Sequence, residues 1–470
     1  MKGSKMPGKS FLLISLAATL WMVPSSYGQD ENSAVVKQVS RDLATTIETY
    51  LKPFVETNNF SGVVCITQGN HLVFQKGYGK ANYEFNVPNS AETRFHIASV
   101  TKSFTAAGIL LLEERGKLST SDPLIKFIPD YPLGDKILLQ HLLTHCSGIP
   151  NVNDFPEYDR ESRFHHTVEQ VVAMFRDKPL DFEPGSRFRY SNSNYNLLAL
   201  IIEKVSGQSY GDFLNTNIFQ PLGLESITHD GDAAKIIPDR AEGTEPDGLR
   251  DIRLVPYLDW SNKTGNGSLV ATAADICRFA TALFTGHLLA PASLSKVMNP
   301  GPSVPYGWSG GEHFGHKTMS ASGRSPGFIA SVEYSLDDTT CIAILTNSYS
   351  SVGQVVAPDI SAIVFGQSVT IPTIAYVPPG EGQLAAYAGQ YKMPDDYYVP
   401  GATLAVVDRG KYLEAQWSNG SMTIIYPVGG DMFVDRTFWA EARFTRDTNG
   451  RITGFVYKLL KEFAAKRIAP

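Results

Sequence analysis

The pattern of hydrophobic and polar positions divides the chain into two regions of different character. Val35 to Thr57 has an apolar residue every three or four positions, which predicts an amphipathic helix. Two apolar runs then flank Gly69–Asn70, and a turn-forming dipeptide between such runs predicts a β-hairpin. Further along, the segment "GFIASVEYSLDDTTCIAILTN" predicts two strands joined at an acidic turn. The first region therefore combines helices with paired strands.

In the last 90 or so residues, apolar and polar positions alternate with the two-residue period of β-strands. Short runs of alternating apolar and polar positions recur between turn residues, which predicts a small antiparallel sandwich or barrel. The stretch 368–382 is rich in Pro and Gly and predicts a linker. We therefore expect one large domain over 35–367 and a smaller β domain over 383–470.

The N-terminus has the features of an export signal. Three lysines in the first ten residues precede an apolar run of 13 residues, 11–23, which is too short to span a bilayer comfortably. Small residues follow, so cleavage is expected near Gly28–Gln29; an uncleaved N-terminal anchor is the alternative. We expect residues 1–28 to be a signal peptide and the mature protein to be periplasmic or secreted, with no membrane span.

Composition and charge narrow the classes of function. The chain is 43% hydrophobic and 19% charged, and a formal net charge of −6 gives no reason to expect nucleic-acid binding. The four cysteines include no Cys-x-x-Cys pair, and His165 and His166 lack metal-ligand spacing, so we expect no metal and no cofactor. Export would permit a disulfide, but the spacing assigns none. The expected partner is a small-molecule or peptide substrate, and an oligomer stays open.

Two segments match the pattern Ser-x-x-Lys, and their contexts differ. Ser99 and Lys102 begin a segment so apolar that its helix should be buried on most sides. Residues three apart share a helix face, burial disfavours a charged ammonium, and a helix N-terminus stabilises an oxyanion. Ser293 and Lys296 lie in a short polar segment ended by prolines, which predicts a solvated turn. Ser99 is therefore either a nucleophile beside its base or an N-cap followed by an exposed lysine.

A second polar group precedes another apolar helix. Tyr190 and Asn192 form the single Tyr-x-Asn sequence of the chain, just before the apolar stretch Leu197 to Val205. A tyrosine held near a lysine could have its pKa lowered and pass protons, and the amide of Asn192 could hold Lys102 or a substrate carbonyl. A simple capping turn is the alternative.

Six segments, taken in order, span roughly residues 40 to 365: "FHIASVTKSFTAAGILLLEERGKL", "LLTHCSGIPN", "EPGSRFRYSNSNYNLLALIIEKVSG", "IFQPLGLES", "NGSLVATAADICRFATAL" and "SPGFIASVEYSLDDTTCIAILTN". Together they resemble the class C β-lactamase and penicillin-binding-protein-related serine hydrolases. The resemblance implies an α/β fold of the α+β type, in which helices flank an antiparallel sheet beside a helical subdomain. "LAAYAGQYK" and the strands after it are similar to the lipocalin-like barrel that some peptidases of this family carry.

The resemblance implies a role for each matched residue. Ser99 matches the acylated nucleophile, Lys102 matches its base, and Tyr190 matches the tyrosine that moves protons between the serine and the leaving group. Asn192 matches the residue that orients the substrate and the lysine. The implied activity is hydrolysis of an amide or ester bond, in a small peptide, a D-amino-acid peptide, a β-lactam-like compound or an ester, through an acyl-enzyme.

The third motif of the family departs from its pattern in this chain. Relatives carry Lys or His where Ala321 stands, before Ser322 and Gly323. The resemblance implies that Ser322, Gly323 and Arg324, like Asn192, bind the substrate. By its spacing, Arg324 is expected to supply the second N–H of the oxyanion hole beside that of Ser99. Its guanidinium could also replace the missing cation for a substrate carboxylate. The site could equally prefer neutral esters or amides.

Two other functions stay open at this point. The change at Ala321 would suit a catalytically weak or inactive binding or sensing protein that retains the penicillin-binding fold. Alternatively, the C-terminal β domain could be the functional module and bind a partner. His145, in "LLTHCSG", is expected to have a structural role beneath the site rather than a place in a catalytic triad.

Overall fold

The computed structural model describes residues 43–299, 306–371, 376–397, 401–418, 422–459 and 461–469. Its helices are α1 (Leu43–Glu56), α2 (Thr101–Glu114), α3 (Leu139–Leu143), α4 (Tyr158–Glu161), α5 (Val168–Ala173), α6 (Asn192–Ser206), α7 (Tyr210–Leu214), α8 (Ala273–Phe284), α9 (Pro291–Met298) and α10 (Val352–Val364). Short 3-10 turns include Ala98–Val100, Val152–Asp154 and Trp260–Lys263.

The strands fall into a first group before residue 350 and a second group after residue 388. The first group is β1 (Gly62–Gln68), β2 (His71–Tyr78), β3 (Lys80–Asn82), β4 (Val87–Pro88), β5 (Phe95–His96), β6 (Thr228–His229), β7 (Thr244–Asp247), β8 (Asp251–Leu254), β9 (Leu269–Ala271), β10 (Ser309–His313), β11 (His316–Ser325), β12 (Phe328–Ser335) and β13 (Thr340–Thr346). The second is β14 (Gly389–Lys392), β15 (Thr403–Asp408), β16 (Leu413–Trp417), β17 (Met422–Gly429), β18 (Met432–Asp435), β19 (Ala440–Arg446), β20 (Ile452–Lys458) and β21 (Glu462–Ala469).

An antiparallel sheet in the order β10-β11-β12-β13-β1-β2 forms the centre of the large domain. Val63 and Cys65 of β1 belong to the core on the α8 side, whereas Val64 and Ile66 belong to the core beneath α1 and α10. Because both faces of the sheet are covered, apolar residues run continuously along β1 and β13. The expected sheet flanked by helices is confirmed, including the hairpin at Gly69–Asn70.

The helical subdomain is built around α2 and α6. Every residue of α2 from Thr101 to Leu112 is buried, so this helix is surrounded by protein on all sides. The apolar composition of the segment therefore predicted its burial correctly. The helix begins two residues later than Ser99, because the 3-10 turn Ala98–Val100 comes first.

The C-terminal strands form a closed barrel with a core of its own. β14 to β21 pair in chain order, and β21 returns to pair with β14. Of the two shapes left open by the sequence, the barrel is confirmed. Its core contains many aromatic rings, among them Tyr391, Phe433, Phe444, Phe455 and Phe463.

A loop of the barrel, Asp435 to Trp439, joins it to the large domain. Arg436 in this loop is 0% exposed, and burial lowers its pKa to about 10, so the guanidinium stays charged at neutral pH. The neighbouring Phe438 and Trp439 contact Arg324 and Phe54 of the large domain. The Arg436 guanidinium donates to Asn59 Oδ1 at 2.8 Å and to the backbone oxygens of Thr57, Asn58, Asp247, Gly248 and Asp251 at 2.8–3.4 Å.

Several sequence expectations lie wholly or partly outside the described residues. They are the signal peptide at 1–28, the first turns of the helix expected from Val35, and 372–375 of the linker. Export therefore stays a prediction. Within the described ranges, no helix is long and apolar enough to cross a bilayer. All four cysteines are buried and free.

The solvated turn expected at Ser293–Lys296 is wrong, because both residues lie in helix α9. Ser293 is buried, and Lys296 Nζ donates to Glu113 Oε2 at 2.7 Å. Pro291 is the first residue of this helix, where the missing N–H of proline costs no hydrogen bond. The prolines around the segment therefore mark a helix start as well as an end.

Replacing Arg436 by alanine should destabilise the protein, because buried oxygens on the large domain would lose their donors. We expect the free energy of unfolding to fall by roughly 3 kcal/mol in urea denaturation. The matched control is Arg443→Ala, which removes an exposed arginine of the same barrel. It should change the free energy of unfolding by less than about 0.5 kcal/mol. Equal stabilities of the two variants would contradict the role assigned to the loop.

Candidate active site

Ser99 lies in a tight turn between strand β5 and the buried helix α2. β5 pairs with β9, and Ile97 N donates to Leu269 O at 3.0 Å, which fixes the chain up to the turn. Ala98 then has a φ of +47°, a left-handed conformation that residues with a side chain rarely adopt. The chain changes direction at this residue, so that Ser99 stands at the entrance of the helix. Strained backbone of this kind is frequent at active sites.

The structure brings together four of the residues predicted from the sequence in one hydrogen-bonded group. Ser99 Oγ lies 2.8 Å from Tyr190 Oη and 3.0 Å from Lys102 Nζ. Lys102 Nζ also donates to Asn192 Oδ1 at 2.9 Å and to Asn266 O at 2.8 Å. Tyr190 Oη reaches Asn192 Oδ1 at 3.3 Å. The start of α2, the start of α6 and the loop before β9 therefore meet at the Lys102 amine.

The contacts of Lys102 indicate its protonation state. The residue is 3% exposed, and burial, together with the charge of Lys263, lowers its pKa well below the usual value. A neutral amine has two N–H donors and one lone pair. The oxygens of Asn192 and Asn266 can only accept, so they take the two N–H groups. The lone pair then faces Ser99 Oγ, and Lys102 can take up the serine proton.

The pKa of Tyr190 contradicts the sequence expectation. Burial raises it to about 12, where a lowered value was expected. A charged lysine beside the phenol would lower this pKa, but the buried Lys102 favours its neutral form. Tyr190 therefore keeps its proton at neutral pH and can donate it within the group.

Buried side chains hold Tyr190 and Asn192 in position. His145 Nδ1 accepts a hydrogen bond from Ser191 N at 3.2 Å, and its ring centroid lies 4.5 Å from that of Tyr190. Burial lowers the pKa of His145 to about 3, so the ring is neutral and Nδ1 is free to accept. Asn192 N donates to Asn151 Oδ1 at 2.9 Å. These contacts agree with the structural role expected for His145.

The open edge of β11 faces the Ser99 turn. β10 stops pairing with β11 at Ser309↔Ser320, so among the described residues no strand pairs with 321–325 on that side. Leu336 N donates to Lys317 O at 2.8 Å, so the backbone N–H and C=O of Lys317 point towards β12. Because these groups alternate in direction along a strand, those of the other odd-numbered β11 residues also point towards β12. The backbone groups of even-numbered residues point to the open edge. The N–H of Arg324 therefore points to the side where an oxyanion donor is needed.

Gly323 allows β11 to approach the turn closely. A Cβ atom at this position would lie 2.7 Å from Ser99 N and 2.4 Å from Ile97 O, too close for non-bonded atoms. The position therefore requires glycine for packing. Gly323 was selected from the sequence as a substrate-binding residue, and the structure gives it this spacing role beside the nucleophile.

The remaining residues of the third motif lie on opposite faces of the sheet. Ala321 is 7% exposed and belongs to the core on the α8 side, so no cation occupies that position. Ser322 and Arg324 alternate with it and face the α10 side. The Arg324 guanidinium already has partners, which are Ser351 Oγ and the rings of Tyr349 at 4.2 Å and Phe438 at 5.3 Å.

Three further residues of the site were not selected from the sequence. Asn266 binds Lys102 through its backbone oxygen, and Asn153 Oδ1 accepts a hydrogen bond from Asn192 Nδ2 at 2.7 Å. Lys263 is 3% exposed and lowers the pKa of Lys102. The one signal in the sequence is Gly265. A Cβ atom added there would lie 2.3 Å from Tyr195 O, so only glycine lets this loop approach α6 so closely.

Comparison with known sequences adds relatives to this geometry. A family model described as Beta-lactamase matches residues 47–363. A protein of Bacillus subtilis named as a penicillin-binding protein, PbpX, is 32% identical over 325 residues. The match covers 68% of this chain and 78% of that protein.

Two solved structures share the fold. The octameric penicillin-binding protein homologue from Pyrococcus abyssi has a TM-score of 0.61 at 24% identity, over 90% of this chain and 100% of that one. The D-amino acid amidase from Ochrobactrum anthropi SV3, solved with D-phenylalanine, has a TM-score of 0.62 at 23% identity, over 69% and 99%. At these identities the likeness shows the fold alone.

Gly323→Ala should slow the reaction of Ser99 with a fluorophosphonate, a probe that labels activated serines. The added methyl group would push the strand and the turn apart, and a displacement of about 1 Å at a reacting group lowers rates by roughly 100-fold. The control is Gly311→Ala on β10, where the nearest atom to a Cβ is 3.7 Å away. Labelling of both variants at the rate of the unmodified protein would contradict the close approach.

Proposed function

This chain belongs to the beta-lactamase family of serine hydrolases, and we propose that it hydrolyses an amide or ester bond through an acyl-enzyme on Ser99. The observation that carries the proposal is the buried Lys102 amine, which lies 3.0 Å from Ser99 Oγ with both of its N–H groups bonded elsewhere. A serine hydroxyl is a weak nucleophile, and an adjacent base in neutral form activates it.

In the acylation step, Ser99 Oγ forms a bond to the substrate carbonyl carbon and its proton passes to Lys102 Nζ. The negative charge that develops on the carbonyl oxygen is stabilised by the N–H groups of Ser99 and Arg324. Collapse of this intermediate breaks the bond to the leaving group. Tyr190, 2.8 Å from Ser99 Oγ, donates its proton to the departing nitrogen or oxygen. The proton that Lys102 took from Ser99 then passes to Tyr190 and restores its hydroxyl.

Deacylation reverses these roles, with water in place of the leaving group. The water oxygen forms a bond to the acyl carbon and gives up a proton to the Lys102–Tyr190 pair. The intermediate then releases Ser99 Oγ, which recovers the proton. Asn192 has two functions in the proposed scheme. Its Oδ1 holds the lysine, and its Nδ2, which donates to Asn153 Oδ1 at 2.7 Å, is assigned to the acyl side of the substrate.

The relatives suggest candidate substrates. The amidase acts on D-amino acid amides by its name, and the penicillin-binding names suggest peptides with D-residues or β-lactams. Ala321 leaves no cation at the third motif, which favours small amides or esters without a carboxylate at that point. The export expected from residues 1–28 would place the reaction in the periplasm or outside the cell.

A second candidate is a binding or sensing protein that is acylated without efficient turnover. The observation that favours it is again Ala321, because a substrate carboxylate would be held less firmly for the second step. The two candidates differ in deacylation alone, so a substrate with a measurable product separates them.

Ser99→Ala should abolish labelling by a fluorophosphonate and by a fluorescent penicillin, together with hydrolysis of p-nitrophenyl butyrate. Ser293→Ala is the matched control, because Ser293 begins the other Ser-x-x-Lys sequence and lies in α9. It should leave labelling and hydrolysis within about twofold of the unmodified protein. Labelling without hydrolysis would favour the sensing protein, and labelling that persists in Ser99→Ala would contradict both candidates.

The rate of Ser99 labelling should depend on the neutral form of Lys102. Burial lowers the folded-state pKa of this lysine, so the rate should rise with pH and reach its plateau well below 10.5, the ordinary lysine value. Because the pKa of Tyr190 is about 12, its ionisation should not lower the labelling rate within the pH range of the plateau. Lys102→Met should label slowly at every pH. A rise centred near pH 10.5 would mean that Lys102 is an ordinary exposed lysine.

A further inference from the structure

Lys263 is a buried cation that has no anionic partner. It lies at the end of the 3-10 turn Trp260–Lys263 and is 3% exposed. In the part of the chain that the structure describes, no residue accepts a hydrogen bond from its Nζ or lies within ion-pair distance of it. The contact found is with the ring of Tyr158, whose centroid is 5.1 Å from Nζ. Burial lowers the pKa of Lys263 to about 7.

Beside Lys263, two buried polar groups lack a hydrogen bond of ordinary geometry. The Tyr158 hydroxyl and the Asn153 Nδ2 atom are both buried, and neither forms a hydrogen bond of ordinary geometry. The two side chains face each other: burial raises the pKa of the Tyr158 phenol, and the approach of the Asn153 amide to its oxygen lowers that pKa by a smaller amount. A buried polar group without a partner usually marks a place where a ligand or ordered water belongs. We call Asn153, Tyr158 and Lys263 the donor cluster.

The donor cluster is joined directly to the reacting group. Asn153 Oδ1 accepts from Asn192 Nδ2 at 2.7 Å, and Asn192 Oδ1 accepts from Lys102 Nζ at 2.9 Å. The first bond uses the oxygen of Asn153 and leaves its NH₂ group to point elsewhere. One side chain, Asn192, therefore separates the donor cluster from the base that serves Ser99.

We propose that the donor cluster is a substrate subsite that binds a carboxylate on the acyl part of the substrate. The ammonium of Lys263, the hydroxyl of Tyr158 and the amide of Asn153 offer hydrogens and no anion, so their complement is an acceptor with negative charge. The subsite lies next to Asn192, on the acyl side in the scheme above. This inference rests on the proposed function, because it names the substrate class for the same site.

The energetics of an unpaired buried cation support a ligand. An ammonium group taken out of water without a partner is unfavourable for folding, and such groups are retained where they have a use. A bound carboxylate would supply the missing charge and accept from the neighbouring donors. An acyl group ending in an ammonium would meet Lys263 and Lys102 together and be repelled.

Two esters that differ at one group test the proposal. Mono-(p-nitrophenyl) glutarate and p-nitrophenyl valerate have the same leaving group and chain length, and a carboxylate in the first replaces a methyl group in the second. We expect kcat/KM to favour the glutarate. Lys263→Met should reduce that preference by at least about tenfold, because a charge-assisted hydrogen bond is lost. The effect of an unoccupied Lys263 on the pKa of Lys102 is common to both esters, so the ratio reports what the carboxylate adds, through its binding and through its charge.

Two further variants identify the source of the preference. Tyr158→Phe removes one hydroxyl of the donor cluster and should lower the ratio by a few-fold. Lys296→Met removes a lysine that is paired with Glu113 in α9, and it should leave the ratio unchanged. A ratio near one in the unmodified protein, or a ratio unaffected by Lys263→Met, overturns the proposal even when both esters are hydrolysed.

A binding measurement keeps the inference testable without turnover. If neither ester is hydrolysed, calorimetry on the Ser99→Ala protein decides the subsite independently of the proposed function. Glutaranilic acid should then bind at least about tenfold more tightly than valeranilide, and the addition of Lys263→Met should remove the difference. Lys263→Met should also raise the Tm, because it replaces an unpaired buried cation with an apolar side chain. A lower Tm with unchanged binding would show that Lys263 has a structural role alone.

Discussion

The rest of the structure depends on the burial of one lysine amine against one serine hydroxyl. Lys102 can act as a base only in its neutral form, and an exposed lysine is charged at neutral pH. The protein therefore has to exclude water from the amine and still satisfy both of its N–H groups. Asn192 and Asn266 do so from two different segments. If either acceptor were absent, the amine could turn and its lone pair would no longer face Ser99.

This requirement accounts for much of the architecture around the site. Helix α2 is buried from Thr101 to Leu112, which keeps solvent from its first turn. The left-handed Ala98 directs the chain into that helix, and Gly323 lets the open edge of β11 reach the turn. The barrel also contacts strand β11, because the Phe438 ring centroid lies 5.3 Å from the guanidinium of Arg324 while Arg436 holds the loop in the large domain. The barrel is therefore part of the support of the oxyanion donor.

The sequence was sufficient for those parts of the site that local patterns record. Ser99 and Lys102 are three residues apart at the start of an apolar helix, and Tyr190 and Asn192 precede another, so chain spacing reflects spatial position. The pKa of Tyr190 was predicted in the wrong direction, because its value depends on burial by residues distant in sequence. The turn expected at Ser293 failed because a proline can begin a helix as well as end one.

Other residues of the site have no local signal at all. A lysine near a glycine-rich loop usually lies at the surface, and nothing adjacent to Lys263 in the sequence indicates that it is buried. Arg436 stands in a β-domain turn where an exposed arginine is ordinary, and its partners come from two separate segments of the large domain. Such contacts arise from the tertiary fold and cannot be inferred from the spacing of residues.

The position of the second cation has a consequence for the first. A charged Lys263 lowers the pKa of Lys102, so it helps to keep the base neutral while the site is empty. A carboxylate bound at Lys263 would offset that charge and allow Lys102 to hold a proton more readily, at the stage when it must accept one from Ser99. A cation at position 321 would stand on β11 rather than beside Asn192 and would bind a different part of the substrate. A substrate charge recognised at Lys263 would therefore lie on a different end of the substrate from one recognised at 321, while the proposed chemistry at Ser99 stays the same.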